Sequence, residues 1–165
     1  MNIEIDKLTN SIENTLTGEV FDTVIVRLST GDAATLKITD WDFDWVKEIH
    51  ESEKEVYCVS TVNNPGIIHG LLSLEDKDDH IFIHLIENSK LNKGKNKVYV
   101  GVPGNLVAFA CKIAMEKGYD GFVAFDAKSK LIHHYEQTLG ATHYRDLRMF
   151  IDTNAATRLI SQYFK

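Results

Sequence analysis

Residues 101–127, GVPGNLVAFACKIAMEKGYDGFVAFDA, constrain the fold more than any other stretch. A glycine bend opens it, and Pro103 falls where a first helical turn tolerates a missing N–H. Leu106, Phe109, Ala110 and Ile113 then recur on one helical face, and Gly118 is placed to end the helix. GFVAFDA is nearly all apolar, as a strand covered on both faces is. HIFIHLIEN, ahead of the bend, also reads as a strand. A strand, a helix and a second buried strand in succession call for a crossover, which predicts a local parallel pair in the sheet.

The other runs predict antiparallel neighbours. FDTVIVRLS has the β-branched content of a strand, and TGDAATLKI predicts a turn and a second extended piece. Thr39 or Asp40 caps a predicted helix through about Ser52, in which Trp41, Trp45 and Ile49 recur at spacing four. EVYCVSTV and IIHGLLSLE flank Asn63-Asn64-Pro65-Gly66 as a hairpin, and HIFIHLIEN extends the meander. Period-two alternation puts His80, Phe82, His84 and Ile86 on one face of that strand and Ile81, Ile83, Leu85 and Glu87 on the other. A helix around Ser129 to Leu139 closes at Gly140, RMFID forms a further strand, and a short helix ends at Tyr163 and Phe164. Residues 1–165 therefore read as one α+β domain with a mixed, mostly antiparallel sheet and flanking helices.

Composition narrows the function classes. The chain of 165 residues suits one full core, and no apolar run approaches the ~20 residues of a bilayer span. Residues 1–19 carry mixed charges and no continuous apolar block, so a secretory signal is not expected and a cytoplasmic location is. Cys58 and Cys111 sit in apolar surroundings without CxxC spacing, which favours buried thiols. His133 and His134 are adjacent and point in different directions on a helix, so no metal site is expected. A net charge of −6 argues against general binding to nucleic acid. The basic residues Lys90, Lys93, Lys95 and Lys97 cluster in KLNKGKNK, just ahead of the glycine bend.

This order of elements, with its Gly-x-x-Gly bend and a tyrosine in the helix before Gly140, resembles the GNAT superfamily of N-acetyltransferases. The resemblance implies that HIFIHLIEN and GFVAFDA, the family's fourth and fifth strands, splay apart. It implies acetyl-CoA as co-substrate, with pantetheine between those strands and the pyrophosphate on backbone N–H groups of the following turn. The cradle would then fall on Val100, Gly101, Val102, Gly104, Asn105 and Leu106, with Lys97 adding charge. Helix N-termini suit phosphate independently, since they carry unpaired donors and about half a unit of positive charge. Against the family's Gln/Arg-x-x-Gly-x-Gly/Ala turn, Val98 replaces the basic or amide residue and Pro103 replaces the second small one, removing a donor. Gly104 allows close backbone approach. These departures leave a second reading, a non-catalytic module of the same fold that binds CoA or a protein partner.

Acetyl transfer to an amine needs a base for the amine and an acid for the leaving thiolate. The family's acid is commonly a tyrosine in the helix after the fifth strand, and Tyr135 in LIHHYEQTLGA resembles it. Here its spacing to the glycine is five positions rather than four, and Ala141 stands where an aromatic often follows. For the base, His80 is the first candidate and Glu87 the second; a neutral imidazole with a pKa of about 6.5 can serve. In TDWDFDWVKEIHESEKE, acidic residues alternate with tryptophans. That segment would attract a cation and cover its methylenes, pointing to a primary amine, a polyamine or a lysine side chain. Core packing accounts for the same tryptophans equally.

Overall fold

The computed structural model describes residues 1–8 and 11–164. Among them the elements run β1 (Ile12–Asn14), β2 (Val20–Phe21), β3 (Thr23–Leu28), α1 (Trp45–His50), β4 (Lys54–Thr61), β5 (Gly70–Asp76) and β6 (Ile81–Asn88). There follow β7 (Tyr99–Val100), α2 (Val102–Glu116), β8 (Val123–Asp126), α3 (Ile132–Leu139), β9 (Thr142–Arg145), β10 (Arg148–Ile151) and α4 (Thr153–Tyr163). A seven-stranded sheet has the order β3-β4-β5-β6-β8-β10-β9 and is antiparallel except where β6 meets β8. A small second sheet, β2-β1-β7, brings residues 12–21 against the short strand ahead of α2.

The alternation expected along HIFIHLIEN breaks midway. Ile83 pairs with Leu74 and Leu85 with Ser73, so His84 is an extra residue, a β-bulge. One inserted residue exchanges the two faces for everything after it. Ile86 joins Ile81 and Ile83 in the core beneath α2, while Leu85 and Glu87 turn to the opposite face, toward Trp45.

On that opposite face the chain is less helical than its tryptophan spacing predicts. TGDAATLKI forms two short 3-10 turns, Thr30–Thr35 and Ile38–Asp40, in place of an extended piece. The first is set by Asp32, whose carboxylate accepts the Ser29 N–H at 2.7 Å. Helix α1 starts only at Trp45, capped by Asp44, which accepts the Lys47 N–H at 3.1 Å. This segment is anchored from the sheet: Glu87 is only 2% exposed and accepts the backbone N–H groups of Asp42 (2.8 Å) and Phe43 (3.1 Å). Its carboxylate also takes the Trp45 indole N–H and the Lys93 ammonium, both at 2.8 Å. Burial alone would raise the Glu87 pKa, yet these bonds together hold it below the ordinary carboxylate value.

Helices α2, α3 and α4 cover the other face over a core that includes Leu72, Leu74, Ile83, Phe125 and Met149. Helix α4 packs on the first turn of α2 at Gly104. An added Cβ there would lie 2.1 Å from the Tyr163 hydroxyl oxygen and 2.8 Å from its Cζ. Gly104 is thus required by helix packing.

Two consequences can be measured. Gly104→Ala should cost about 1–3 kcal/mol in urea unfolding, and the loss should shrink in a Tyr163→Ala background. Glu87→Gln should cost about 1–3 kcal/mol at neutral pH. Since the folded pKa lies below the unfolded one, the carboxylate's contribution is complete above pH 4.5 and is lost as pH falls through the folded value. Melting temperatures of Glu87→Gln and the unsubstituted chain should therefore converge in acid.

Candidate active-site cleft

β6 and β8 are paired only over Ile81–Ile83 and Val123–Phe125. The bulge at His84 follows at once and bends β6 away, so His84–Asn88 have no strand partner on that edge among the described residues. The N-terminus of α2 stands at the open end. Its cap, Gly101, has φ +95°, a left-handed conformation that favours glycine. The basic loop ahead of it is anchored by a buried cluster. Asn92 accepts the Tyr99 N–H at 3.1 Å and lies 3.2 Å from Nδ1 of His69, whose ring packs edge-on against Tyr99 and whose pKa burial pushes down.

The cleft is filled by residues 1–8 of the same chain. The Lys128 N–H donates to the Met1 carbonyl at 3.0 Å, and the Tyr135 hydroxyl donates to the Ile3 carbonyl at 2.5 Å. The Ile5 N–H donates to His134 Nε2 at 2.8 Å. Asp6 then reaches the start of α2: one carboxylate oxygen accepts the Gly101 N–H at 3.2 Å and the other lies 3.4 Å from Lys97 Nζ. At the far end, Gln162 donates to the Leu8 carbonyl at 2.8 Å. Met1, Ile3 and Ile5 pack inward against the main core while Asn2 and Glu4 face solvent, a period-two pattern without a backbone ladder.

With this segment seated, the cradle does not admit a diphosphate. Gly101 donates to Asp6, Pro103 has no N–H, and Gly104 lies under Tyr163. Val102, Asn105 and Leu106 are fully buried, and Val100 is half-buried, paired with Glu13 of β1. Val102 and Leu106 face Gly70 of β5, where a Cβ would come 2.6 Å from Val102. The Asn105 side chain lies 3.3 Å from the Thr23 hydroxyl, and its Nδ2 has no hydrogen-bond partner among the described residues. Lys97 is already paired, and the Asp6 charge would repel a second anion.

The three candidate acid–base residues are not brought together. Tyr135 lies at the cleft, fully buried, and burial pushes its pKa up, so it is a proton donor at neutral pH. His80 lies beyond the paired end of β6, about 25 Å of strand from the open end. There its Nδ1 is 2.6 Å from Asp79, and it borders a depression with Phe122, Tyr144, Arg148 and Phe150. Glu87 is at the open end but on the α1 face, with both oxygens engaged.

The acidic segment is also largely paired internally. Asp42 binds Lys93 at 2.8 Å, and Lys54 bridges Glu48 and Glu51, each at 3.1 Å. A cavity of about 600 Å³ opens beside the C-terminal end of β6, lined by Leu36, Trp41, Ile67, Ile68, Lys90 and Leu91 among others. Sequence reasoning missed Ile3, Ile5, Asp6 and His134 as cleft residues. The alternation Ile3-Glu4-Ile5-Asp6 was the available signal, a strand-like pattern in a stretch remarkable only for its mixed charge.

No family model and no curated protein matches the chain. Solved structures do. An acyl-CoA N-acyltransferase from Pseudomonas aeruginosa is 13% identical with a TM-score of 0.53, covering 78% of this chain and 99% of that one. A spermidine N-acetyltransferase chimera from Vibrio cholerae is 13% identical at a TM-score of 0.53, covering 82% and 98%. The ribosomal-protein-S18-alanine N-acetyltransferase from Escherichia coli is 11% identical at 0.56, covering 78% and 92%. Identities this low carry architecture and not activity, and the named acceptors differ from one protein to the next. The similarity shows the architecture: the chain has the GNAT fold, and its residues 1–8 lie in the cleft where β6 and β8 part.

Proposed function

We propose that this chain is an acetyl-CoA-dependent N-acetyltransferase that acts on a primary amine. The observation that carries the reading is the parting of β6 and β8 against the α2 N-terminus, with the Tyr135 hydroxyl turned into it. The cleft has an anion holder at one end, Gly101 N–H with Lys97, and a protonated phenol further along, with the apolar side chains of Ile3 and Ile5 packed into the core alongside. Such a set suits an elongated acyl carrier with an anionic head. Acetyl-CoA would supply the activated acetyl thioester; the chain supplies position, charge and the Tyr135 proton. His80 and Glu87 stand away from this set, so the amine's proton passes to solvent water and neither residue is assigned as base.

The cavity beside β6 is the acceptor side in this reading. Lys37 and Lys90 border it along with Asp40, so its charge is mixed and does not select a polycation. Trp41, Ile67 and Leu91 offer apolar cover for the body of a molecule bearing one amine. The filled cleft favours a second reading, a module of this fold without catalysis.

The two readings part in one assay. With millimolar acetyl-CoA and a panel of primary amines, the transferase releases free thiol steadily and only when amine is present. Tyr135→Phe should reduce that turnover by about 10²-fold or more. Thiol release no faster than in the absence of protein, with every amine, would leave the non-catalytic module.

A further inference from the structure

We propose that residues 1–8 are an intramolecular competitor for the acyl-CoA groove: a strap whose Asp6 carboxylate occupies the anion position and whose Ile3 and Ile5 pack into the core alongside. The inference rests on the acetyl-CoA reading and adds its regulation.

Every polar group in that reading already has a partner in the strap, and the partners match in kind. The anion holder has an anion, since Gly101 N–H and Lys97 Nζ both address Asp6. The proton donor has an acceptor, the Ile3 carbonyl at 2.5 Å from Tyr135. His134, on the same helix, has the Ile5 N–H. Between these contacts Ile5 is 4% exposed and sits in the main core cluster, with Met1, Ile3 and Leu8 packed against it. A helix start and a phenol buried without partners would be costly, so the groove folds with a stand-in.

The strap is also built to leave. It joins neither sheet as a strand, so no ladder of backbone bonds has to break along its length. Separate contacts from Asp126, Lys128, Tyr135, His134, Lys97, Gly101, Tyr163 and Gln162 hold it, Lys7 pairs with Glu13, and Asn2 and Glu4 remain in solvent. A ligand that brings an anion and an apolar chain can replace the Asp6 contacts and the burial of Ile3 and Ile5, and the groups left by the remaining contacts return to water. Its apparent affinity is the intrinsic affinity multiplied by the fraction of molecules with the strap unseated.

The test uses the full chain with coenzyme A as the probe, combining calorimetric titration with amide exchange at Ile5 and Gly101. In the unsubstituted chain the Ile5 amide should be protected and should lose protection as coenzyme A is added. Asp6→Asn removes the charge with little change of shape and should bind at least tenfold more tightly. Ile5→Glu should leave residue 5 unprotected before any ligand is added and bind at least as tightly as Asp6→Asn. If Ile5→Glu fails to fold, judged by near-ultraviolet circular dichroism, Asp6→Asn decides alone.

Equal affinity in all folded variants, with protection at residue 5 retained in the bound chain, would overturn the strap and leave the acetyl-CoA reading intact. No binding at millimolar coenzyme A, in Ile5→Glu with residue 5 unprotected or in Asp6→Asn, would overturn both. In that case residues 1–8 are a permanent part of the core.

Discussion

The parallel contact between β6 and β8 ends after Ile83 and Phe125, one residue before the bulge at His84. Most of the architecture at this end of the sheet follows from that termination. A bulged strand bends and twists away from its neighbour, so two strands that begin as partners leave an apolar gap between them. Ile86 and Phe125 border the gap with fully or nearly fully buried side chains. They remain so because α2 and α3 roof it and residues 1–8 enter it. The same bulge sends Glu87 to the other face, where it organises the approach to α1. A single inserted residue thereby separates a cleft on one side of β6 from a polar clamp on the other.

Two buried carboxylates do equivalent work on the two faces. Glu87 gathers the backbone N–H groups of Asp42 and Phe43, and Asp6 takes that of Gly101 at the start of α2. Each also binds a lysine of the basic loop, Lys93 in one case and Lys97 in the other. Helix starts leave unpaired donors, and a buried acid is an effective partner for them. The loop KLNKGKNK is thus tied down at two points by acids from distant parts of the chain. Its position fixes β7, and through β7 the small sheet that carries residues 12–21 toward the cleft.

The order of elements was legible because it rests on period and punctuation. Gly118 and Gly140 end helices with φ of +82° and +68°, Pro103 sits in a first turn, and the meander pairs as its alternation suggests up to His84. Less legible were features that depend on a partner far away in sequence. Trp41, Trp45 and Ile49 have helical spacing, yet Trp41 is extended and the helix begins only at Trp45, after backbone that Glu87 anchors from β6. Gly104 looked like a site for phosphate approach, and Tyr163, 59 positions later in the numbering, is what requires it. The short strands β1, β2 and β7 contain two or three residues each, too few to show a period.

In the proposed reading, the make-up of the turn ahead of α2 and the seating of the strap act on the same few donors. Val98 in place of a basic or amide residue, and Pro103 in place of one with an N–H, both reduce the number of donors at the start of α2. A diphosphate distributes its charge over several oxygens and calls for several donors. A carboxylate is satisfied by fewer, and Asp6 has one backbone N–H and one ammonium. The donors at this site match a carboxylate more fully than a diphosphate. Charge alone gives a diphosphate little advantage there, because each anion it displaces was already matched. The exchange is decided along the apolar stretch instead, where an incoming chain must replace the burial of Ile3 and Ile5 and satisfy Tyr135 in the same place.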